Sequence, residues 1–247
     1  MIRWIAYYSS VLFLVAGMIL LFYQSAWLPW EIFGLIIISL AGFRLISRKS
    51  FTSFLPTWIA FTLYLVSTVL QLSIIENPSA QQWFIVVAGL LWFSILYAVA
   101  YYFTNNREFV GKQFLEITQA VHFITLWQIL NVLNFTLIFI HIPIWQAWLI
   151  VVAVTLLLGY QLLTFHGLRK GSIWLSLIAL TLTSLELFVT INLLPLHFYV
   201  QSALVTLWFF FVIRLTLQGQ EVTSRKKLFF SSLIFILIIG TLLILVS

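Results

Sequence analysis

The sequence predicts an all-α fold: a polytopic transmembrane helical bundle of about nine spans, built as tandem helical hairpins with a single helix at the C-terminus. Three observations predict it. Of the 247 residues, 63% are hydrophobic and only 7% are charged, whereas a soluble domain carries about 25% charged residues. Too few polar side chains exist to cover a soluble fold of this size. Mean hydropathy is +1.14, and apolar runs of about 20 residues, long enough to cross a bilayer as helices, recur from end to end. Period-2 alternation is missing, which argues against a membrane β-barrel.

The segments follow one another closely. The first, 4–23, comes after Arg3 and carries no small-residue cleavage pattern, so it is expected to stay as an anchor. The second, 28–47, opens at Pro29 and closes on Arg44, Arg48 and Lys49. Segments three and four, 54–75 and 82–103, turn at Glu76–Gln81, and Arg107 and Lys112 separate them from the fifth. The fifth and sixth, 114–140 and 145–166, turn at His141–Pro143 and end before Arg169 and Lys170. The seventh and eighth, 173–194 and 199–217, turn at Leu194–His197, with Arg214, Arg225, Lys226 and Lys227 bracketing the end of the eighth. The ninth, 228–246, is apolar on every side, the pattern of a helix facing lipid or another subunit.

All 12 basic residues fall on one side of this scheme. The positive-inside rule then predicts a multi-pass protein with its N-terminus cytoplasmic and its C-terminus outside. Trp27, Trp30, Trp83, Trp145 and Trp148 cluster at the opposite border, as interfacial anchors do. Gly42, Gly89, Gly159 and Gly240 are read as places where helices approach closely. The whole chain, 1–247, is expected to form a single membrane domain.

An internal repeat is the most specific pattern. Shifted by 65 residues, Pro78-Ser-Ala-Gln81-Gln-Trp83-Phe-Ile-Val-Val-Ala88 lies over Pro143-Ile-Trp-Gln146-Ala-Trp148-Leu-Ile-Val-Val-Ala153. The unit is an out-and-back hairpin with proline at its outer turn, predicted at about 3–49, 51–112, 113–170 and 172–226, with the helix 228–246 added. Two helices per unit make the repeats parallel rather than inverted.

Polar residues at hydrocarbon depth are the candidates for function, because they are costly there and usually face inward. On a helical projection of the fifth segment, Glu116, Gln119, Asn131 and Asn134 share one side; on the seventh, Thr183, Glu186 and Thr190 do so. The two stripes are expected to face each other or a common cavity, as a ligand or proton-coupling site. The competing reading is interhelical hydrogen bonding by the same side chains. Glu186 is the one deep carboxyl, and the expectation is that it is protonated at neutral pH. His122 is a candidate relay, and Glu31 is placed at the outer border.

Other chemistries are excluded or disfavoured. There is no cysteine, which removes disulfides, thiolate metal sites and cysteine nucleophiles. There is no aspartate either, so paired-aspartate prenyl transfer and aspartyl intramembrane proteolysis lack their working groups. No late span carries the lysine a retinal protein needs, and no Pro-x-[Asp/Glu]-x-x-[Lys/Arg] carrier signature occurs. The histidines make no metal-ligand grouping. No cofactor, metal or catalytic residue is expected, and an enzyme is disfavoured. The net charge of +6 is spread singly between apolar spans, so no nucleic-acid partner is expected. The expected partners are the lipid bilayer and, through 228–246, other membrane subunits. Function falls to a small transporter or lipid/ligand-binding membrane protein, or to a non-catalytic subunit or sensor module of a larger complex.

Overall fold

The computed structural model describes residues 2–23, 28–47, 51–104, 107–166 and 170–218. Eight α-helices fill these stretches: α1 (Ile2–Tyr23), α2 (Leu28–Ser47), α3 (Phe51–Ile74), α4 (Pro78–Thr104), α5 (Arg107–Phe135), α6 (Ile144–Phe165), α7 (Lys170–Asn192) and α8 (Phe198–Gln218). No strand occurs among the described residues. Five helices are long and apolar enough to cross a membrane, at Pro78–Ala98, Phe114–Ile140, Ile144–Phe165, Ile173–Asn192 and Phe198–Leu217. Three shorter apolar stretches lie in α1, α2 and α3. The nine spans of the sequence reading are therefore reduced to eight helices and five long apolar crossings among the described residues. The predicted segment 228–246 lies outside those residues.

Helix starts follow from local chemistry. Asn77 accepts the backbone N–H groups of Ser79 and Ala80 on its Oδ1, at 2.9 and 3.2 Å. Pro78, lacking an N–H, occupies the first helical position of α4, where no donor is needed. Pro143 stands immediately before α6 with its φ of −59°, and its carbonyl accepts the N–H of Gln146 at 2.9 Å. α5 ends in a π-helical turn, Thr136–Ile140, closed by His141 in the left-handed region at φ 58°. The His141 N–H donates to the Thr136 carbonyl there, closing the turn through the backbone.

The chain divides into two compact units, Met1–Thr125 and Leu126–Ser247, with the division inside α5. In the first unit α2 packs against α1, α3 and α4, and α1 and α3 also contact α4. Its core is Leu14, Met18, Leu35, Phe61, Tyr64, Leu65, Val69 and Trp92. Tyr64 stacks on Trp92 with ring centroids 6.3 Å apart and gives its hydroxyl to the Ala88 carbonyl. A polar knot ties α2 to α3: Trp58 Nε1 donates to Ser39 Oγ at 3.0 Å, and Ser39 Oγ lies 3.1 Å from Thr62 Oγ1.

In the second unit α6, α7 and α8 pack on one another. Gly159 is the close-approach point, because a Cβ there would lie 2.9 Å from a methyl of Leu177 and 2.9 Å from one of Leu180. Around both units large apolar side chains point outward, among them Trp83 and Leu90 on α4, Trp145 and Leu149 on α6, and Leu175 on α7. Water does not tolerate so much contiguous exposed apolar surface. With the apolar helices, it fits an integral, multi-pass membrane protein.

The glycine contact yields a test. Gly159→Val overpacks the α6–α7 seam and is expected to cost about 1–3 kcal/mol, read by reversible unfolding in mixed micelles. Unchanged stability would contradict the seam.

Candidate functional site

Hydroxyl groups are the commonest polar side chains inside these helices, and most bond to their own helix. Thr183 Oγ1 donates to the Ala179 carbonyl at 2.9 Å, and Thr190 Oγ1 to the Glu186 carbonyl at 2.8 Å. Thr125, Thr155 and Thr206 do the same four residues back. A hydroxyl tied into its own turn needs no other partner. Two of the candidates from sequence, Thr183 and Thr190, are therefore satisfied within α7.

The carboxyls differ from the sequence expectation in where they point. Glu186 sits 16 residues into α7, about 24 Å along the helix. Its side chain is exposed, on the same outer face as Leu175, Ile178 and Leu182. Glu116 is also exposed, in the first unit, while Gln119 is half-buried and makes polar contact there. His122, in the same unit, is buried, with its Nδ1–H donating to the Thr118 carbonyl at 2.6 Å. This fixes the ring in α5 by the same back-bonding that holds the threonines. Glu116, Gln119 and His122 thus belong to the first unit, and Asn131, Asn134, Thr183, Glu186 and Thr190 to the second.

Amides cannot reach their own carbonyls as readily as hydroxyls, and they define the buried polar seam of the second unit. Asn131 and Asn134 are fully buried, three residues apart and so neighbours on the surface of α5. Asn134 Nδ2 donates to Ser202 Oγ of α8 at 3.0 Å, leaving Asn134 Oδ1 without a partner. Neither amide atom of Asn131 has a partner. On α8, Gln201 donates its Nε2 toward the carbonyls of Ile191 and Leu194, and its buried Oε1 is unmet. Ser184 Oγ and Thr181 Oγ1 of α7 are buried and unmet as well. Aromatic contacts reinforce the pairing of α5 with α8, through Trp127 on Tyr199 and Phe135 on Phe198.

The polar partner of α5 in this unit is thus α8, where the sequence pairs its stripe with α7. The reason is rotational: the α7 stripe carrying Glu186 turns outward, and the buried side of α7 presents Thr181 and Ser184 instead. Sequence reasoning missed Gln201, Ser202 and Ser184 in the second unit, and the burial of Glu31 in the first. Gln201 and Ser202 had a usable signal, since they are two adjacent polar residues near the start of a mostly apolar span.

Among the described residues no cluster of three or more His, Cys, Asp or Glu could hold a metal ion. The polar seam of the second unit contains amides and hydroxyls and no buried charged side chain among its described residues. Such a set supplies donors and acceptors together, which suits water or an uncharged polar molecule. Comparison with protein-family models, with curated proteins and with solved structures finds no match.

The Asn134–Ser202 contact is measurable. A double-mutant cycle of Asn134→Ala and Ser202→Ala is expected to give a coupling of about 0.6 kcal/mol, the average for interhelical hydrogen bonds in a membrane. Additive effects of the two substitutions would contradict the contact.

Proposed function

We propose that this is a small integral membrane transporter or ligand-binding protein whose site is the amide-lined seam of α5 and α8 in its second unit, taking an uncharged polar ligand. Asn131 carries the reading. Its two amide atoms are fully buried without partners, a state that costs about 1–3 kcal/mol unless something else bonds to them. An apolar residue would stabilise a purely structural helix at that position. Asn134 Oδ1 adds an acceptor to the same seam, and Gln201 Oε1 is a further unmet acceptor of α8, on a side chain bonded to the end of α7. The proposed ligand therefore carries hydrogen-bond donors as well as an acceptor, as a polyol or a primary amide does.

The topology proposed with it is multi-pass, in tandem hairpins, with the N-terminus and the basic loops cytoplasmic. It is supported by the one-sided distribution of all 12 basic residues and by the 65-residue self-similarity. A second reading has its own observation. Glu186 is an exposed carboxyl in the middle of an apolar helix face, a costly arrangement in lipid that a neighbouring subunit with a basic or donor group would relieve. On that reading the protein is a non-catalytic subunit, and 228–246 is a further docking element.

Flux separates the two. Glycerol and acetamide are the probes, followed by stopped-flow light scattering of proteoliposomes. The wild type is expected to admit at least one of them faster than protein-free vesicles. Asn131→Leu is expected to abolish the excess flux without lowering thermal stability, because it removes two unmet polar atoms. No excess flux in the wild type, together with stoichiometric partner proteins after purification from the native membrane, would overturn the transporter reading in favour of the subunit.

A further inference from the structure

The first unit contains a different kind of polar group. Glu31 lies one turn inside α2 and is only 7% exposed. Neither of its carboxylate oxygens has a hydrogen-bond partner. Its place is made by Gly17 of α1: a Cβ at that position would lie 2.5 Å from Oε1 and 2.7 Å from the carboxyl carbon. The missing side chain of Gly17 is therefore what lets the carboxyl lie against the backbone of α1.

The register of α2 and α3 adds a second group. Ser39 stands opposite Thr62, and the helices of a hairpin run antiparallel. Moving eight residues back from Ser39 reaches Glu31, and the same distance forward from Thr62 reaches Leu70, next to Gln71. Gln71 is 2% exposed, and its Oε1 is likewise unmet. Gln71 Oε1 on α3 is thus an unmet acceptor at about the level of Glu31 on α2.

No described cation compensates Glu31. The helices packed against α2 are α1, α3 and α4. The described ionisable side chains on these helices and on α2 itself are Arg44, Tyr64 and Tyr97. Arg44 is 13 residues further along α2, about 20 Å away, and exposed. Tyr64 gives its hydroxyl to the Ala88 carbonyl, and Tyr97 is exposed. Beyond the helix end, Glu76 is exposed and of the same sign. The remaining ionisable residues of α1 and α4 are Arg3, Tyr7, Tyr8, Tyr23, Tyr101 and Tyr102, whose side chains are outside those described.

We propose that Glu31 is a proton-binding site of the first unit, its carboxyl held neutral against Gly17 while α1 and α2 remain in contact. An ionised carboxylate in this place would have neither water nor a donor to solvate it. A bound proton removes the charge and converts one carboxyl oxygen to a donor, which can serve an acceptor such as the backbone or Gln71 Oε1. Release of the proton requires water to reach the carboxyl, so proton occupancy is linked to the closeness of α1 and α2 at Gly17. This inference is independent of the ligand seam in the second unit.

Infrared difference spectroscopy of the full-length protein in lipid vesicles, between neutral and alkaline pH, tests it. The wild type is expected to show a protonated-carboxyl C=O band at neutral pH that Glu31→Gln removes and Glu186→Gln leaves in place. Gly17→Ala is expected to shift or weaken the band, whereas Gly159→Ala, at the α6–α7 seam of the second unit, leaves it unchanged. A wild type without the band, or a band that survives Glu31→Gln at full strength, would overturn the proposal. Should Glu31→Gln not fold, the wild type decides through dicyclohexylcarbodiimide, which condenses with protonated carboxyls in apolar surroundings. An adduct at Glu31 supports the proposal, and adducts confined to other glutamates overturn it.

Discussion

The absence of water from the bilayer interior is the constraint on which the rest depends. Every polar group carried into hydrocarbon must be met by the protein, or it is paid for in stability. Helices meet the backbone groups, and threonine and serine meet themselves by bonding to the carbonyl one turn back, as Thr125, Thr155 and Thr206 do. Carboxylates have no such local solution, and an amide can tie down only its N–H groups that way, as Asn192 Nδ2 does on the Phe188 carbonyl. The side chains that remain unmet in the interior, Glu31 and Asn131 foremost, are therefore the ones that packing alone does not explain.

The two units treat this constraint differently. The first is built around α2, with aromatic packing at Tyr64 and Trp92 and a hydroxyl–indole knot at Ser39, Thr62 and Trp58. Its unmet groups among the described residues are the Glu31 carboxyl and Gln71 Oε1, together with the Thr118 hydroxyl and the Trp92 indole N–H. The second is built from α6, α7, α8 and the end of α5, with amides and hydroxyls at its unmet positions and its described carboxyl, Glu186, turned outward. A buried carboxyl that no donor meets is relieved by a proton, whereas amides with both donors and acceptors suit a neutral polar partner.

Helix positions were legible in the sequence because in a membrane the length of an apolar run is also the length of the helix. The eight helices α1 to α8 fall on the first eight segments, and turn chemistry at Asn77-Pro78 and Pro143 marks two of the starts. Helix rotation was not legible. In a soluble helix the polar face points to water, but here every face is apolar, so a stripe such as Thr183, Glu186 and Thr190 does not reveal whether it looks inward or outward. Depth also misled at Glu31. One turn from a helix end resembles an interfacial position, and its burial depends on a glycine in a different helix, Gly17, that no periodicity within α2 reports.

As the proposed site, the α5–α8 seam must be reached by water and polar solutes rather than sealed. Because the chain has no cysteine, a single introduced thiol reports accessibility without background. Asn131→Cys, treated in proteoliposomes with a small hydrophilic methanethiosulfonate, is predicted to react readily, while Leu130→Cys, at an apolar buried neighbour, is predicted to stay protected. Equal protection of both thiols in folded protein would show the seam to be dry and would contradict the account.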